Sequence, residues 1–165
     1  MTDMQRESDS ILPSYSYIPL AISFVFNLVA YSGSKLLTAN LPHYNMAIGL
    51  DAAIPFCPGF ISIYILAYIQ WCVGYVMITK DSRALCYEFI AADLTAELIC
   101  LVFFLAYPTT GNRPEISGAG IWNTLTKIIY WFDSPVNLFP SIHCLKSWFC
   151  FRGAMQSVKL PKWYR

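Results

Sequence analysis

LCYEFIAADLTAELICLVFFLAY, residues 85–107, decides the fold. An apolar run needs about 20 residues to cross a bilayer as a helix, and this one is long enough. No water is present in lipid to satisfy backbone amides, so a crossing segment must satisfy its own, which predicts an α-helix here. Within this run Asp93 and Glu97 lie four residues apart and therefore share one helix face. Intramembrane carboxylates are costly and are functional candidates for that reason. The competing reading, which we adopt, is burial against a basic partner inside a bundle.

Working outward, residues 18–37 and 53–78 form two more apolar runs of crossing length, the second with Pro55 and Pro58 near its start, where a helix tolerates proline. A fourth segment, 141–155, is shorter and carries Lys146 and Arg152. The expectation is an all-α integral membrane helical bundle with about four transmembrane helices, in one domain over residues 18–165. Residues 1–17 are polar and acidic, with no basic stretch or small-residue cleavage site before the first apolar run, and read as a cytosolic tail rather than a signal peptide. The chain is 56% hydrophobic and 13% charged, against about 25% charged in soluble domains. Its net charge of +1 argues against a nucleic-acid partner. The six cysteines show no CxxC and no metal-ligand spacing, and read as small hydrophobes. No metal or cofactor is expected.

Basic residues orient the bundle. Lys80 and Arg83 flank the tight turn KDSR (80–83), and Lys159, Lys162 and Arg165 follow the fourth segment. Residues 36–52 hold no lysine or arginine, and residues 108–140 spread Arg113 and Lys127 over a longer connection. The positive-inside rule then places both termini and KDSR in the cytoplasm and 108–143 outside, here at the plasma membrane. At equal depth on the third and fourth segments, Glu97 and Arg152 are expected partners, with Asp93 and Lys146 as alternatives.

In that frame NLFPSIHCLKSW (137–148) sits at the outer mouth of the fourth helix. Proline favours a first helical turn, so His143 falls beside unpaired backbone N–H groups that suit an anion. Ser141 adds a hydroxyl, Arg113 a planar cationic fork that matches phosphate, and an imidazole can protonate a leaving oxygen. Each residue also has a plainer reading: His143 as an interfacial histidine bonded to a carbonyl, Arg113 as a solvated or headgroup-binding loop arginine, Ser141 as a helix cap. Asp133 and Asn137 read as braces for the loop entering the helix. Lys146 either snorkels to the outer surface or holds phosphate, and Lys127 reads as a headgroup contact or as solvated. The aromatics read as packing and as interface belts, among them Trp122, Tyr130 and Trp131.

Arg113-Pro114 followed by Pro140-Ser141-Ile142-His143 resembles the first two motifs of the phosphatidic acid phosphatase type 2 superfamily. The context DSPVNLFPSIHC is similar to the branch holding inositolphosphotransferases of sphingolipid synthesis and related bacterial membrane phosphatases. The resemblance covers about residues 85–150. It implies hydrolysis or transfer of a lipid phosphate ester at the outer membrane face, without metal, in a membrane helical bundle. Arg113 and Ser141 would hold the phosphate, and His143 would be the acid for the leaving group. Two positions depart from the pattern. Ala106 stands where the family has a lysine, for which Lys146 could substitute, and the third motif, with its nucleophilic histidine, has no match. The chain therefore reads as the front part of a longer enzyme, inactive as it stands, with exposed helix faces prone to self-association. The competing function is a non-catalytic membrane protein that binds a lipid phosphate or a partner helix.

Overall fold

The computed structural model describes residues 12–161 of the 165. It is built from six helices: α1 (Ser14–Leu37), α2 (Gly49–Ala53), α3 (Pro58–Asp81), α4 (Arg83–Ala106), α5 (Ile121–Phe132) and α6 (Ile142–Gln156). Three of them, α1, α3 and α4, are long and apolar enough to cross a membrane. The fourth expected span falls short. At 15 residues, α6 is about 22 Å long, and Lys146, Ser147, Arg152 and Gly153 break its apolar character. The expected tail also ends earlier than its composition suggests, because Ser14 already opens α1 as a 3₁₀ turn behind Pro13. Residues 1–11 of that tail, and Lys162 and Arg165 of the basic C-terminal cluster, lie outside the described residues.

Helix α4 is central and packs against α1, α3 and α6, while α6 also packs against α3. At one end, Ile78, Leu85, Phe89, Ile90, Ala154 and Leu160 form the apolar core. Gly153 lets α6 approach closely there, since a Cβ at that position would lie 2.7 Å from the Ile78 side chain. The KDSR turn closes this end. Ser82 caps α4 by accepting the Leu85 N–H at 3.1 Å, and Asp81 accepts Ser157 Oγ at 2.6 Å and the Lys159 N–H at 2.7 Å. The C-terminal end of α6 is thereby tied to the α3–α4 turn.

The long loops gather at the opposite end, the mouth. Strand β1 (Tyr44–Asn45) pairs in parallel with β2 (Thr109–Thr110), joining the loop after α1 to the loop after α4. Thr109 O accepts the Asn137 N–H, and Thr109 Oγ1 accepts the Leu138 N–H, so the segment leading into α6 is fastened to the same patch.

The polar centre of the bundle lies between these ends. Lys146 Nζ donates to both carboxylate oxygens of Asp93 at 2.9 Å and to Glu97 Oε1. The lysine side chain is 10% exposed and the two acids are fully buried. Ser23 and Asn27, also four residues apart, complete the cluster from α1 by donating to Asp93 (2.7 Å) and Glu97 (2.9 Å). Tyr75 donates to Asp93 at 2.7 Å. The basic partner of Glu97 is therefore Lys146, not the expected Arg152, which is exposed. Depth alone gave the wrong residue because phase decides which face a side chain takes. Arg152 is six residues past Lys146, about 240° around the helix. Nor does Lys146 snorkel outward, since two buried acids hold its ammonium.

Candidate functional site at the mouth of the bundle

Three local features position the site. In α1, a π turn at Val29–Gly33 shifts the helix phase; Tyr31 lies within that turn and Ser34 follows it. Tyr31 donates to Asp133 Oδ1, Ser34 Oγ accepts Asn137 Nδ2 at 2.9 Å, and Lys35 donates to Ser134. Asn137 adopts φ +57°, a left-handed conformation that asparagine tolerates better than most residues, and so turns the chain toward α6. Ser141 then caps α6, its Oγ accepting the Cys144 N–H at 3.4 Å. That capping leaves His143 in the first turn.

Helix α3 supplies an aromatic wall. Tyr64, Tyr68, Trp71 and Tyr75 recur at helical spacing on one face. Tyr64 OH donates to Asp133 Oδ2 at 3.0 Å and lies 2.7 Å from His143 Nε2. The hydroxyl has one proton, and a charged carboxylate is the stronger acceptor, which makes His143 Nε2–H the donor to Tyr64. The rings of Tyr64, Tyr68 and Trp71 stand within 6 Å of the imidazole. His143 lies at the mouth, outside the three membrane-length helices. Burial pulls its pKa below the ordinary imidazole value, and the charge of Asp133 acts in the opposite direction.

Arg113 is already engaged. It donates to the carbonyls of Asp133 and Tyr130, pairs with Asp133 Oδ2 at 3.4 Å, and stacks over the Tyr130 ring at 4.4 Å. It therefore closes the end of α5 and offsets the charge of Asp133.

A cavity of about 830 Å³ runs from this network into the bundle. Asp133, Asn137, Ser141 and His143 line its outer part, and Leu20, Phe24, Trp71, Cys72 and Val76 its depth. Phe24 and Cys72 are exposed and lie midway along α1 and α3, so the cavity opens sideways between those helices. The structure thus joins Asp133 to His143 through Tyr64 and sets Ser141, Asn137 and Lys146 on the same cavity. Arg113 is outside the lining, behind Asp133. One buried acceptor, Asn137 Oδ1, has no partner.

Sequence reasoning passed over Tyr31, Tyr64 and Tyr68 as packing residues. The signal that could have found the two on α3 is the 64/68/71/75 spacing, which places three hydroxyls and an indole on one face of a membrane helix. Among the described residues no group of three or more His, Cys, Asp or Glu side chains is placed to hold a metal ion. In comparison with known proteins, the chain matches no family model, no curated protein and no solved structure.

Proposed function

We propose that the cavity binds a phosphorylated membrane lipid, with the phosphate at the mouth and an acyl chain between α1 and α3. The observation that carries this reading is the cavity itself: apolar in depth, open sideways at mid-helix, and polar at one end where Ser141 and His143 meet the start of α6. A helix start offers unpaired N–H groups and positive potential to a phosphate. By pairing with Asp133, Arg113 reduces the repulsion an anionic headgroup would meet there. The resemblance of Arg113-Pro114 and Pro140–His143 to phosphatase motifs supports the same ligand class and gives His143 the role of proton donor to a leaving oxygen.

Binding, rather than turnover, is the activity we assign to residues 1–165. Among the described residues lining the cavity, His143 is the one histidine. The nucleophilic histidine that the resemblance calls for has no counterpart among these lining residues, so no second histidine stands ready to attack the phosphorus. A phosphate headgroup held at Ser141 and the α6 start needs no such group.

The test is lipid retention by the full chain in nanodiscs, measured by native mass spectrometry. Phosphatidic acid and diacylglycerol of identical acyl chains serve as probes. Phosphatidic acid should be retained in preference, and Ser141→Ala and His143→Ala should each reduce that preference. Equal retention of the two lipids would overturn the reading. Phosphate release that vanishes in His143→Ala would replace binding by catalysis.

A further inference from the structure

Helix α5 is amphipathic in the reverse of the usual sense. Ile121, Leu125, Ile128 and Phe132 recur at spacings of four, three and four and form one apolar stripe. That stripe is turned mostly outward: Ile121 is 68% and Phe132 71% exposed, Leu125 is half-buried, and Phe132 also borders the mouth of the cavity. The face turned inward is the polar one. Thr126 is buried, and Tyr130 lies beneath the Arg113 guanidinium, which also binds its carbonyl. Trp122 and Trp131, both exposed, sit about 80–100° to either side of the stripe. Lys127 is exposed on the remaining surface.

We propose that α5 lies in the plane of the membrane at the mouth end, its apolar stripe sunk among the acyl chains and its two tryptophans at headgroup level. At 12 residues, about 18 Å, it is too short to cross. Its neighbour identifies what covers the stripe. Helix α5 packs against Pro58–Phe60 and the following turns of α3, a membrane-length helix whose Phe60, Ile63 and Leu66 are exposed. The apolar surface of α5 is thus adjacent to a surface that lipid must cover. Amphipathic helices with tryptophan at the boundary and lysine on the polar side bind this way, and tryptophan concentrates at membrane interfaces. The arrangement also gives α5 a place in the site. Ile129 and Phe132 line the cavity, so the helix roofs it at headgroup depth. A lipid could then present its headgroup to His143 without leaving the leaflet.

The test uses the full chain in phosphatidylcholine bilayers, with all tryptophans but one replaced by phenylalanine. Nitroxide-labelled phosphatidylcholine carries its quencher at the headgroup, at a shallow acyl carbon or at a deep one. Single-Trp122 and single-Trp131 proteins should both be quenched at least twofold more by the headgroup and shallow labels than by the deep label, and both should resist acrylamide. Quenching by acrylamide alone would put the stripe in water, and one shallow with one deep tryptophan would mean an inserted helix; either result overturns the proposal. A single-Trp71 protein, whose indole lies deeper in the bundle, checks that the chain is folded in the same bilayers. Because the readout is depth, it is independent of whether the cavity prefers phosphorylated lipid.

Discussion

The bundle centre and the bundle mouth both place an acid beside a base, and they do so for different ends. At the centre, Asp93, Glu97 and Lys146 project from uninterrupted stretches of helix, and hydroxyl and amide groups from α1 and α3 bond directly to the acids. At the mouth, Asp133 and Arg113 come from loops, and Tyr64 stands between the acid and His143. The central acids are fully buried and nearly saturated, leaving Glu97 Oε2 without a partner, while Lys146 reaches the inner wall of the cavity. The mouth groups are half-buried, and Asp133 and His143 border the polar end of an open cavity. A charge inside a membrane must be compensated by the protein itself, so the central cluster ties helices together. A charge at the mouth can share its compensation with a ligand.

This contrast is sharpest in the response to losing one partner. Lys146→Met should be the most damaging single change, because it leaves two acids buried without a cation. Breaking a buried pair costs about 3–5 kcal/mol, which should appear as loss of a monodisperse species in detergent. Adding Glu97→Gln should recover part of the loss, as a double-mutant cycle would show. Strictly additive losses would dissolve the cluster as a unit.

Asp133→Asn should cost less, about 1–3 kcal/mol, since the loss falls on hydrogen bonds from Tyr31, Tyr64 and Arg113 at a site water can reach. Thermal unfolding followed by circular dichroism measures it. A cost equal to that of Lys146→Met would erase the distinction between the two regions.

Acid should act chiefly at the mouth. The folded state lowers the His143 pKa, so folding favours the neutral ring. Its stabilising contribution is present above the unfolded-state value, near 6.5, and is lost as pH falls through that value toward the folded one. Melting temperature should therefore drop between pH 7.5 and 5.5, and His143→Gln should flatten that part of the profile. A profile unchanged by the substitution would remove His143 from the pH response.

Arg152→Ala should do least, within about 0.5 kcal/mol, as befits an exposed side chain away from the cluster. A large loss would restore the pairing with Glu97 that the structure contradicts.

Much of the architecture was legible because a segment that suits a bilayer must be long, apolar and helical. Length and apolarity marked α1, α3 and α4 to within a few residues, and the spacing of Asp93 and Glu97 announced one charged face. The expected fourth span is not matched in length, since α6 has 15 residues, and a run of hydropathy beside lysine and arginine does not reveal where a short helix finds its cover. At the mouth, Ser141 and His143 stood out through their helix-start pattern, and Asp133 and Asn137 through turn chemistry. Tyr31 and Tyr64 did not, since a tyrosine in an apolar helix has the same local signature whether its hydroxyl meets a carboxylate or lipid.

By itself, the sequence determined that this protein is helical and that three of its segments have the length and apolarity to suit a bilayer, with 141–155 as an expected fourth. Those properties are local: hydrophobic length, residue spacing and cap chemistry act within a few turns of chain. Tertiary structure alone decided that Lys146 rather than Arg152 meets Glu97, that Tyr64 joins His143 to Asp133, and that α5 turns its apolar face outward. Each of these depends on the rotational phase of one helix against another, which packing sets across the bundle and no single segment encodes.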